Sequence, residues 1–364
     1  MPLTDDSTHC PDVLLIGGGV AGLVCLDRLV RAGYDAVLVE RSALGDGQTA
    51  HTQGILHSGL KYLLHGQVTD AFDGLASRWR DELLDLAGCR VVRDEVLVWS
   101  AGPFSDALVE RFAADGRPRR VDPPSILGGE VYSLPEPVID VFSVLAGLRD
   151  LHRNRLLSGD AQFERVGGSI RVAVAGQRIE PRRLLLTAGV ANAELSRRLD
   201  RPVAMRRLPL HMVVARSVDL PPLWAHGVIG DGSPALTITH HGDGIWYLGG
   251  RLSEEGVDRS RDEQIAAAES MLGRMVPSVD LRTVDFDTLR IDRAEPERSD
   301  GRRFDVEVEG ESPVWVAWPI KLVLAPRLAD RVVERLRREG IEPSAAISAV
   351  EPSVLDVAEA PWRT

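Results

Sequence analysis

Three glycines and one glutamate near the start of the chain have the spacing of a dinucleotide-binding site. The glycines form the pattern Gly17-x-Gly19-x-x-Gly22, and Glu40 follows 18 residues after the last of them. The first glycine permits a tight turn, the second leaves room for a pyrophosphate, and the third lets a helix pack closely on a strand. Glu40 is placed to accept hydrogen bonds from an adenosine ribose. The pattern alone is weak evidence, so the surrounding elements decide its meaning.

Those elements have the order that the chemistry requires. Residues 12–16, DVLLI, predict a buried parallel strand, and residues 20–32 have the apolar spacing of a helix that ends at Gly33. Residues 36–40 predict a second strand with the glutamate at its carboxyl end. Strand, glycine turn, helix and strand form one βαβ unit whose helix N-terminus suits a phosphate. The context makes the glycine pattern a strong prediction of a bound nucleotide.

The size and charge of the chain set the broad class. A chain of 364 residues exceeds what one hydrophobic core normally serves, so we expect two domains. Hydrophobic residues make up 44% and charged residues 27%, which is ordinary for a soluble globular protein. The net charge is -11 without a basic stretch, which argues against a nucleic-acid partner. A small-molecule substrate is the expected partner, and the oligomeric state is left open.

Cysteine usage and the N-terminus point to the cytoplasm. Cys10, Cys25 and Cys89 form no C-x-x-C pair, and Cys25 lies in an apolar helical stretch as a buried thiol would. No Asp, Glu or His cluster has metal spacing, so no metal site is expected. The chain has neither the pattern of a signal peptide nor an apolar run long enough to span a bilayer.

The remaining sequence predicts a mixed α/β and α+β protein. Alternating short strands and turns between about 205 and 255 indicate a largely antiparallel sheet, and residues 184–189 indicate another buried strand. The final residues, 351–364, lack a clear period and are expected to be poorly ordered. Further elements are expected as helices at 69–86, near 140, at 260–275 and at 322–338, and as a strand-turn-strand at 162–175.

The segment after Glu40 favours FAD over NAD. Residues 45–62 are rich in glycine and small hydroxyl side chains, where a nicotinamide dehydrogenase would begin its third strand. An NAD-dependent dehydrogenase is the runner-up enzyme, and a flavin-binding module without turnover is a further alternative. The chain has no second G-x-G-x-x-G pattern. Electrons are therefore expected to come directly from an organic substrate.

From residue 55 onward the sequence resembles the D-amino acid oxidase superfamily of FAD-dependent oxidoreductases. The run at 55–63 is similar to the segment that passes the flavin in the family's glycerol-3-phosphate and L-2-hydroxyglutarate dehydrogenases. Residues 184–189 and 288–290, and 322–326 after Asp300-Gly301, are similar to segments of its amino acid oxidases. The resemblance implies a discontinuous Rossmann-type FAD-binding domain from 10–65, 140–200 and 285–345, an inserted substrate domain from 66–139 and 201–284, and a tail at 346–364.

The resemblance also implies which residues contact the cofactor and the substrate. Lys321 and Arg290 would hold a substrate carboxylate, and His57 would act as base or orient the substrate. Trp318 is a possible wall of the pocket, and Tyr62, His240, His241 and Tyr247 are weaker candidates. Expected FAD contacts are Gly17, Gly19, Val20, Ala21, Gly22, Glu40, Arg41, Gln48, Thr49, Gln53, Gly54, Val166, Ala188, Gly189, Lys321 and Leu322.

These residues predict an enzyme that removes hydride from a carbon bearing an amine or a hydroxyl in a small acidic substrate. The segment around His57 favours a hydroxy acid, whereas the C-terminal motifs favour an amino acid. More of the chain agrees with the amine, which is the leading prediction. Oxidase and dehydrogenase are not distinguished, nor is covalent from non-covalent flavin.

Overall fold

The apolar run before the glycines forms a fully buried strand of a parallel sheet. This computed structural model describes residues 8–59, 72, 74–86, 88–230, 234–297, 305–344 and 350–363. The strands in chain order are β1 (Thr8–His9), β2 (Val13–Ile16), β3 (Ala36–Glu40), β4 (Val91–Arg93), β5 (Val96–Ser100), β6 (Arg119–Val121), β7 (Glu130–Leu134), β8 (Val138–Ile139), β9 (Leu156–Ser158), β10 (Gln162–Val166), β11 (Ser169–Val174), β12 (Gln177–Ile179), β13 (Arg183–Leu186), β14 (Met205–Arg216), β15 (Trp224–Gly227), β16 (Leu236–His240), β17 (Ile245–Gly249), β18 (Asp285–Pro296), β19 (Glu307–Glu309) and β20 (Val314–Trp318).

The helices pack against these strands or cap their ends. They are α1 (Val20–Arg31), α2 (Leu75–Trp79, continued as a π-helix over Arg80–Leu84), α3 (Asp106–Asp115), α4 (Val141–His152), α5 (Asn192–Arg198), α6 (Arg251–Glu254), α7 (Arg261–Met275) and α8 (Ala325–Arg338). Among the described residues, no helix is both long and apolar enough to cross a membrane.

One sheet carries the nucleotide motif. Its order is β19-β20-β13-β2-β3-β9, and all pairs are parallel except β19 with β20. The helices α1 and α8 lie together on one face and share a core with Leu15 and Leu38. Because parallel strands end at one edge, the carboxyl ends of β2, β3, β13 and β20 converge where the glycine turn leaves β2.

The second large sheet is mostly antiparallel. Its order is β18-β14-β17-β16-β15-β5-β7-β6, in which only β15 and β5 pair in parallel. One face packs on α7 through residues such as Val213, Trp246 and Leu272. The other face, which includes Met212 and Tyr247, meets the C-terminal segment. Two smaller sheets have the orders β1-β12-β11-β10 and β4-β8.

The C-terminal segment is ordered from 350 to 363, so the expectation of a poorly ordered tail is wrong. Leu44 donates its N–H to the carbonyl of Asp356 at 2.8 Å, and Ala358 donates to the carbonyl of Leu44 at 2.9 Å. Trp362 is 3% exposed and accepts a hydrogen bond at its carbonyl from Arg216. Sequence periodicity does not reveal such contacts, because the apolar residues that anchor an irregular segment follow no helical or strand spacing.

Candidate functional site

A cavity of about 910 Å³ opens at the carboxyl edge of the parallel sheet. Its walls come from the β2–α1 turn, the end of β3, the ends of β13 and β20, and one stretch of β18. The size falls within the range of small-molecule sites. Twelve of the expected cofactor contacts line it: Gly17, Gly19, Val20, Ala21, Glu40, Arg41, Gln48, Thr49, Ala188, Gly189, Lys321 and Leu322.

The geometry at each of the three positions explains why the residue there is glycine. Gly17 has φ +113°, and a Cβ there would lie 2.7 Å from the Cα of Ala188. A Cβ on Gly22 would lie 2.0 Å from the carbonyl oxygen of Gly17, so α1 approaches the turn only without a side chain. A Cβ on Gly19 would meet nothing closer than the Thr49 hydroxyl at 3.0 Å, yet it would project at a residue that lines the cavity. The space beside Gly19 therefore fits an extended phosphate group.

The first turn of α1 presents backbone N–H groups toward this space. Gly19 caps the helix without a side-chain hydrogen bond, and the first turn contains no acidic residue. Val20 donates its N–H to the Thr49 hydroxyl at 3.2 Å. A helix start with few internal partners and a favourable dipole is suited to an anion such as a pyrophosphate.

Glu40 ties the end of β3 to the glycine turn. One carboxylate oxygen accepts from the Gly18 N–H at 2.7 Å, and the other accepts from the N–H groups of Arg41 and Ser42 at 2.8 and 3.0 Å. Glu40 also lines the cavity. The carboxylate is thus oriented by backbone donors before any ribose reaches it.

Four expected cofactor contacts do not line the cavity. Gly22 serves the helix packing described above. Gln53 donates through Nε2 to the carbonyl of Tyr247 at 3.1 Å, and Gly54, at φ +73°, lies against the carbonyl of Ile139. Val166 ends β10 in a hairpin opposite Ser169. Residues 159–163 line the cavity instead, on the segment that leads into β10.

Lys321 lies in a strained turn between β20 and α8. Ile320 has φ +56°, a left-handed conformation that a β-branched residue rarely adopts. The Lys321 N–H is directed back at the carbonyl of Pro319, 2.5 Å away. Trp318 is 2% exposed and lines the cavity beside Lys321, as the sequence suggested for a wall residue.

Arg290 and Arg293 lie on opposite faces of β18 because side chains alternate along a strand. Arg290 donates through Nη1 to the carbonyl of Val257 at 2.6 Å and through Nη2 to that of Arg259. Arg290 lines the cavity, but its guanidinium is bound to these carbonyls. Arg293 follows Leu289 and Ile291 on the face that meets Met212 and Tyr247.

His57 lies outside the lining of the cavity and contacts a buried carboxylate. Its Nδ1 is 3.0 Å from a carboxylate oxygen of Glu136, and its ring lies 5.7 Å from that of His226. Ligand-type atoms of all three residues lie within 4.8 Å of one another. The three residues are 79 and 90 positions apart in the chain, at 57, 136 and 226, so no spacing rule reveals them.

The weaker candidates have other surroundings. Tyr62 lies outside the described residues. His240 contacts Trp224 edge-on, and His241 packs 3.9 Å from the Trp362 ring. Tyr247 is fully buried, and burial raises the pKa of its hydroxyl well above the usual range.

The fold and the site together define a dinucleotide-binding oxidoreductase in which strand β18 of the antiparallel sheet lines the cofactor cavity. The family model described as DAO, FAD dependent oxidoreductase, matches residues 12–303, and the chain belongs to this family. The enzyme is an FAD-dependent oxidoreductase, and the glycine turn, the open helix start and the cavity fit FAD.

Known relatives agree with this assignment. The chain is 39% identical, over 97% of both sequences, to a probable FAD-dependent oxidoreductase, PA4991, of Pseudomonas aeruginosa. The crystal structure of that protein matches with a TM-score of 0.85, covering 100% of this chain and 99% of that one. Glycine oxidase from Geobacillus kaustophilus matches at 15% identity with a TM-score of 0.65, covering 94% and 100% of the two chains. FAD-bound L-α-glycerophosphate oxidase from Mycoplasma pneumoniae matches at 15% identity with a TM-score of 0.66, covering 91% and 95%.

Proposed function

We propose that this enzyme oxidises a small organic acid at a carbon that bears an amino or hydroxyl group. FAD, when bound, would supply the hydride acceptor. The protein supplies the orientation of the substrate, an anchor for its acid group and the handling of its proton. The chain would divide into an FAD-binding domain around the parallel sheet and a substrate domain around the antiparallel sheet, as the sequence predicts.

Two buried arginine Nε atoms support the proposal of an acidic substrate. The Nε atoms of Arg251 and Arg293 are buried, and neither has a hydrogen-bond partner among the described residues. Buried donors on a cation are costly unless an anion satisfies them. In a chain of net charge -11, acidic partners are plentiful, so two buried Nε atoms with no partner in the described part of the chain suggest a place kept for a ligand.

Arg293 is the better candidate for the carboxylate anchor that the sequence assigned to Arg290. Arg293 does not itself line the cavity, but it lies between Asp292 and Ala294, which do, and on the sheet face away from the helix α7. Arg290 has its guanidinium occupied by two carbonyls. Lys321 lines the same cavity and remains a second proposed cation for the substrate.

The amine, favoured by the sequence, and the hydroxyl are the two candidates for the oxidised group. The likeness to glycine oxidase concerns the first and the likeness to glycerophosphate oxidase the second, and both are likenesses of fold. The geometry adds one specific observation for the hydroxyl, namely the hydrogen bond of His57 to a carboxylate. A histidine held in this way is suited to general-base catalysis.

Anaerobic reduction of the flavin tests the proposal. Purified holoenzyme is mixed with pairs of acids that share a carbon skeleton: lactate and alanine, malate and aspartate, 2-hydroxyglutarate and glutamate. We expect at least one acid to bleach the flavin. In Arg293→Met the half-saturating concentration should rise roughly 10-fold or more, as expected for loss of a charged hydrogen bond. The matched variant Arg290→Met should change it less.

Two results would contradict the proposal. If dithionite bleaches the flavin but none of the six acids does so, the substrate is not an acid of this kind. If Arg290→Met has the larger effect on half-saturation, the anchor is Arg290, as the sequence predicts.

A further inference from the structure

A buried glutamate holds the histidine to which the proposed function assigns the proton. Glu136 lies between β7 and β8 and is fully buried. One of its carboxylate oxygens accepts hydrogen bonds from the N–H and the hydroxyl of Ser58, at 2.8 and 3.0 Å. The other oxygen lies 3.0 Å from His57 Nδ1. Both oxygens therefore have partners on the segment that continues from the cavity-lining residues 46–49 and 52.

The carboxylate stays ionised in this position. Burial alone would raise the pKa of Glu136, but the nearby His57 charge and the hydrogen bonds from His57 and Ser58 outweigh it and lower the pKa below its usual value. A buried carboxylate that keeps its charge attracts a proton on the neighbouring nitrogen. The Nδ1 of His57 is then the protonated nitrogen, and in the neutral ring Nε2 carries the lone pair.

Two further groups, His226 and Arg117, lie near His57 and Ser58. His226, fully buried on β15, places its Nδ1 2.9 Å from the Thr237 hydroxyl. Arg117 donates to the carbonyl of Ser58 at 3.3 Å and forms an ion pair with Asp115. His57 itself is 17% exposed at its side chain. The imidazole thus has one carboxylate and one second imidazole beside it, and the paired guanidinium lies at the carbonyl of the following residue.

We propose that Glu136 is a positioning residue that makes His57 Nε2 the proton acceptor for a substrate hydroxyl, so that the enzyme oxidises a hydroxy acid. This inference rests on the proposed function. In the step, the O–H bond breaks and its proton moves to Nε2, while the C–H bond breaks and its electron pair leaves as hydride to the oxidised FAD. The carbon and oxygen become a carbonyl, and the product is an oxo acid.

The need for such a base separates the two candidate substrates. A hydroxyl must lose its proton as hydride leaves, because a protonated carbonyl is a high-energy product. A neutral amine expels hydride with its lone pair and keeps its remaining hydrogens through the step. A carboxylate-supported histidine therefore contributes far more to oxidation of an alcohol, by a factor on the order of 10²–10⁴ for general-base catalysis.

The variant Glu136→Gln tests this role because it preserves size while removing charge. The amide oxygen would remain opposite the Ser58 N–H, so the amide NH₂ would face His57 Nδ1 and force the proton onto Nε2. We expect flavin reduction by the best hydroxy acid of the three pairs to slow roughly 100-fold or more. We also expect the pH profile of this rate to differ between the wild type and Glu136→Gln, because only the wild type offers a lone pair at Nε2.

Two further variants exclude a merely structural effect. Glu136→Asp keeps the charge and should restore part of the rate and of the wild-type pH profile. Glu95→Gln is the matched control, because Glu95 also bonds a serine hydroxyl, that of Ser133, and forms an ion pair with Arg119 away from His57. The flavin of Glu95→Gln should be reduced at the wild-type rate. Flavin absorbance confirms that each variant is loaded with FAD.

The outcomes distinguish this inference from the proposed function. If a hydroxy acid reduces the flavin but Glu136→Gln keeps the wild-type rate and pH profile, only the role of Glu136 fails. If the amino acid of a pair is the faster reductant, the choice of hydroxyl fails while acid oxidation stands. Elemental analysis that finds one zinc, iron or manganese per chain, with activity lost on chelation, would also overturn the proton-transfer role. If no acid reduces the flavin, the proposed function itself fails.

Discussion

At the scale of single residues, His241 is a titratable group that the fold keeps uncharged. Its Nε2 lies 3.0 Å from the Thr239 hydroxyl, and its ring packs on Trp362. Burial, with smaller effects from the charges of His240 and Arg363, lowers the pKa of His241 to about 3. The unfolded chain takes up a proton near the ordinary pKa of histidine, about 6.5. Between these two values the unfolded state binds more protons, so stability decreases as pH falls.

Replacing this histidine should flatten the pH dependence of stability. In His241→Phe the ring contact with Trp362 remains and the titration is lost. We expect the free energy of unfolding of the wild type to fall, relative to the variant, by on the order of 2 kcal/mol between pH 6.5 and pH 4. Urea unfolding at several pH values measures this. Parallel curves for the two proteins would show that the buried imidazole is protonated in the fold.

The residues that sequence reasoning found are those whose role depends on local chain geometry. Gly17, Gly19 and Glu40 belong to one βαβ unit, so their spacing carries the information. Glu136 and His226 reach His57 only through the pairing of distant strands, and no local signal marks them. Motif position alone predicts Arg290 as the anchor, whereas the distinction between Arg290 and Arg293 depends on which face of β18 each occupies.

At the scale of elements, the C-terminal segment joins the two large sheets. It bonds Leu44, after β3, and Leu156, at the start of β9, and it ends with Trp362 on β14 and β17. Trp362 contacts the rings of Phe142, His241 and Tyr247. Burial of a large aromatic side chain among such partners contributes substantially to stability.

Removing this anchor should destabilise the protein as a core mutation does. Trp362→Ala is expected to lower the free energy of unfolding by about 3–5 kcal/mol. Val354→Ala is the matched control in the same segment, because Val354 is 95% exposed, and its effect should be within about 0.5 kcal/mol. Chemical denaturation compares them. An equal, small effect of both substitutions would mean that the segment does not hold the two sheets together.

Several elements could be predicted because their periodicity is local and strong. The βαβ unit occurs as β2, α1 and β3, and the helices expected near 140, at 260–275 and at 322–338 occur as α4, α7 and α8. The sheet orders could not be predicted, since strands distant in sequence pair through contacts that a single sequence does not display. β18 pairs with β14 over twelve residues, 80 positions away, and this pairing sets the position of Arg293.

At the scale of the whole molecule, the cavity takes its lining from both large sheets. The lining of the cavity begins at Ile16 and ends at Leu322, and it includes β18 of the antiparallel sheet. A ligand that binds only the folded state stabilises it by an amount that grows with the logarithm of its concentration over Kd. FAD is therefore expected to stabilise both sheets together.

The most direct test of the account measures the flavin bound by one glycine variant. Gly19→Val adds a side chain beside the Thr49 hydroxyl, where we expect the pyrophosphate, and the φ of -70° at this position suits valine. Gly102→Val is the control, because a Cβ at Gly102 meets no atom within 4 Å and Gly102 does not line the cavity. Absorbance of purified protein between roughly 350 and 500 nm reports bound flavin. We predict a yellow wild type, a yellow Gly102→Val and a folded but colourless Gly19→Val; a Gly19→Val protein with full flavin content would contradict the account.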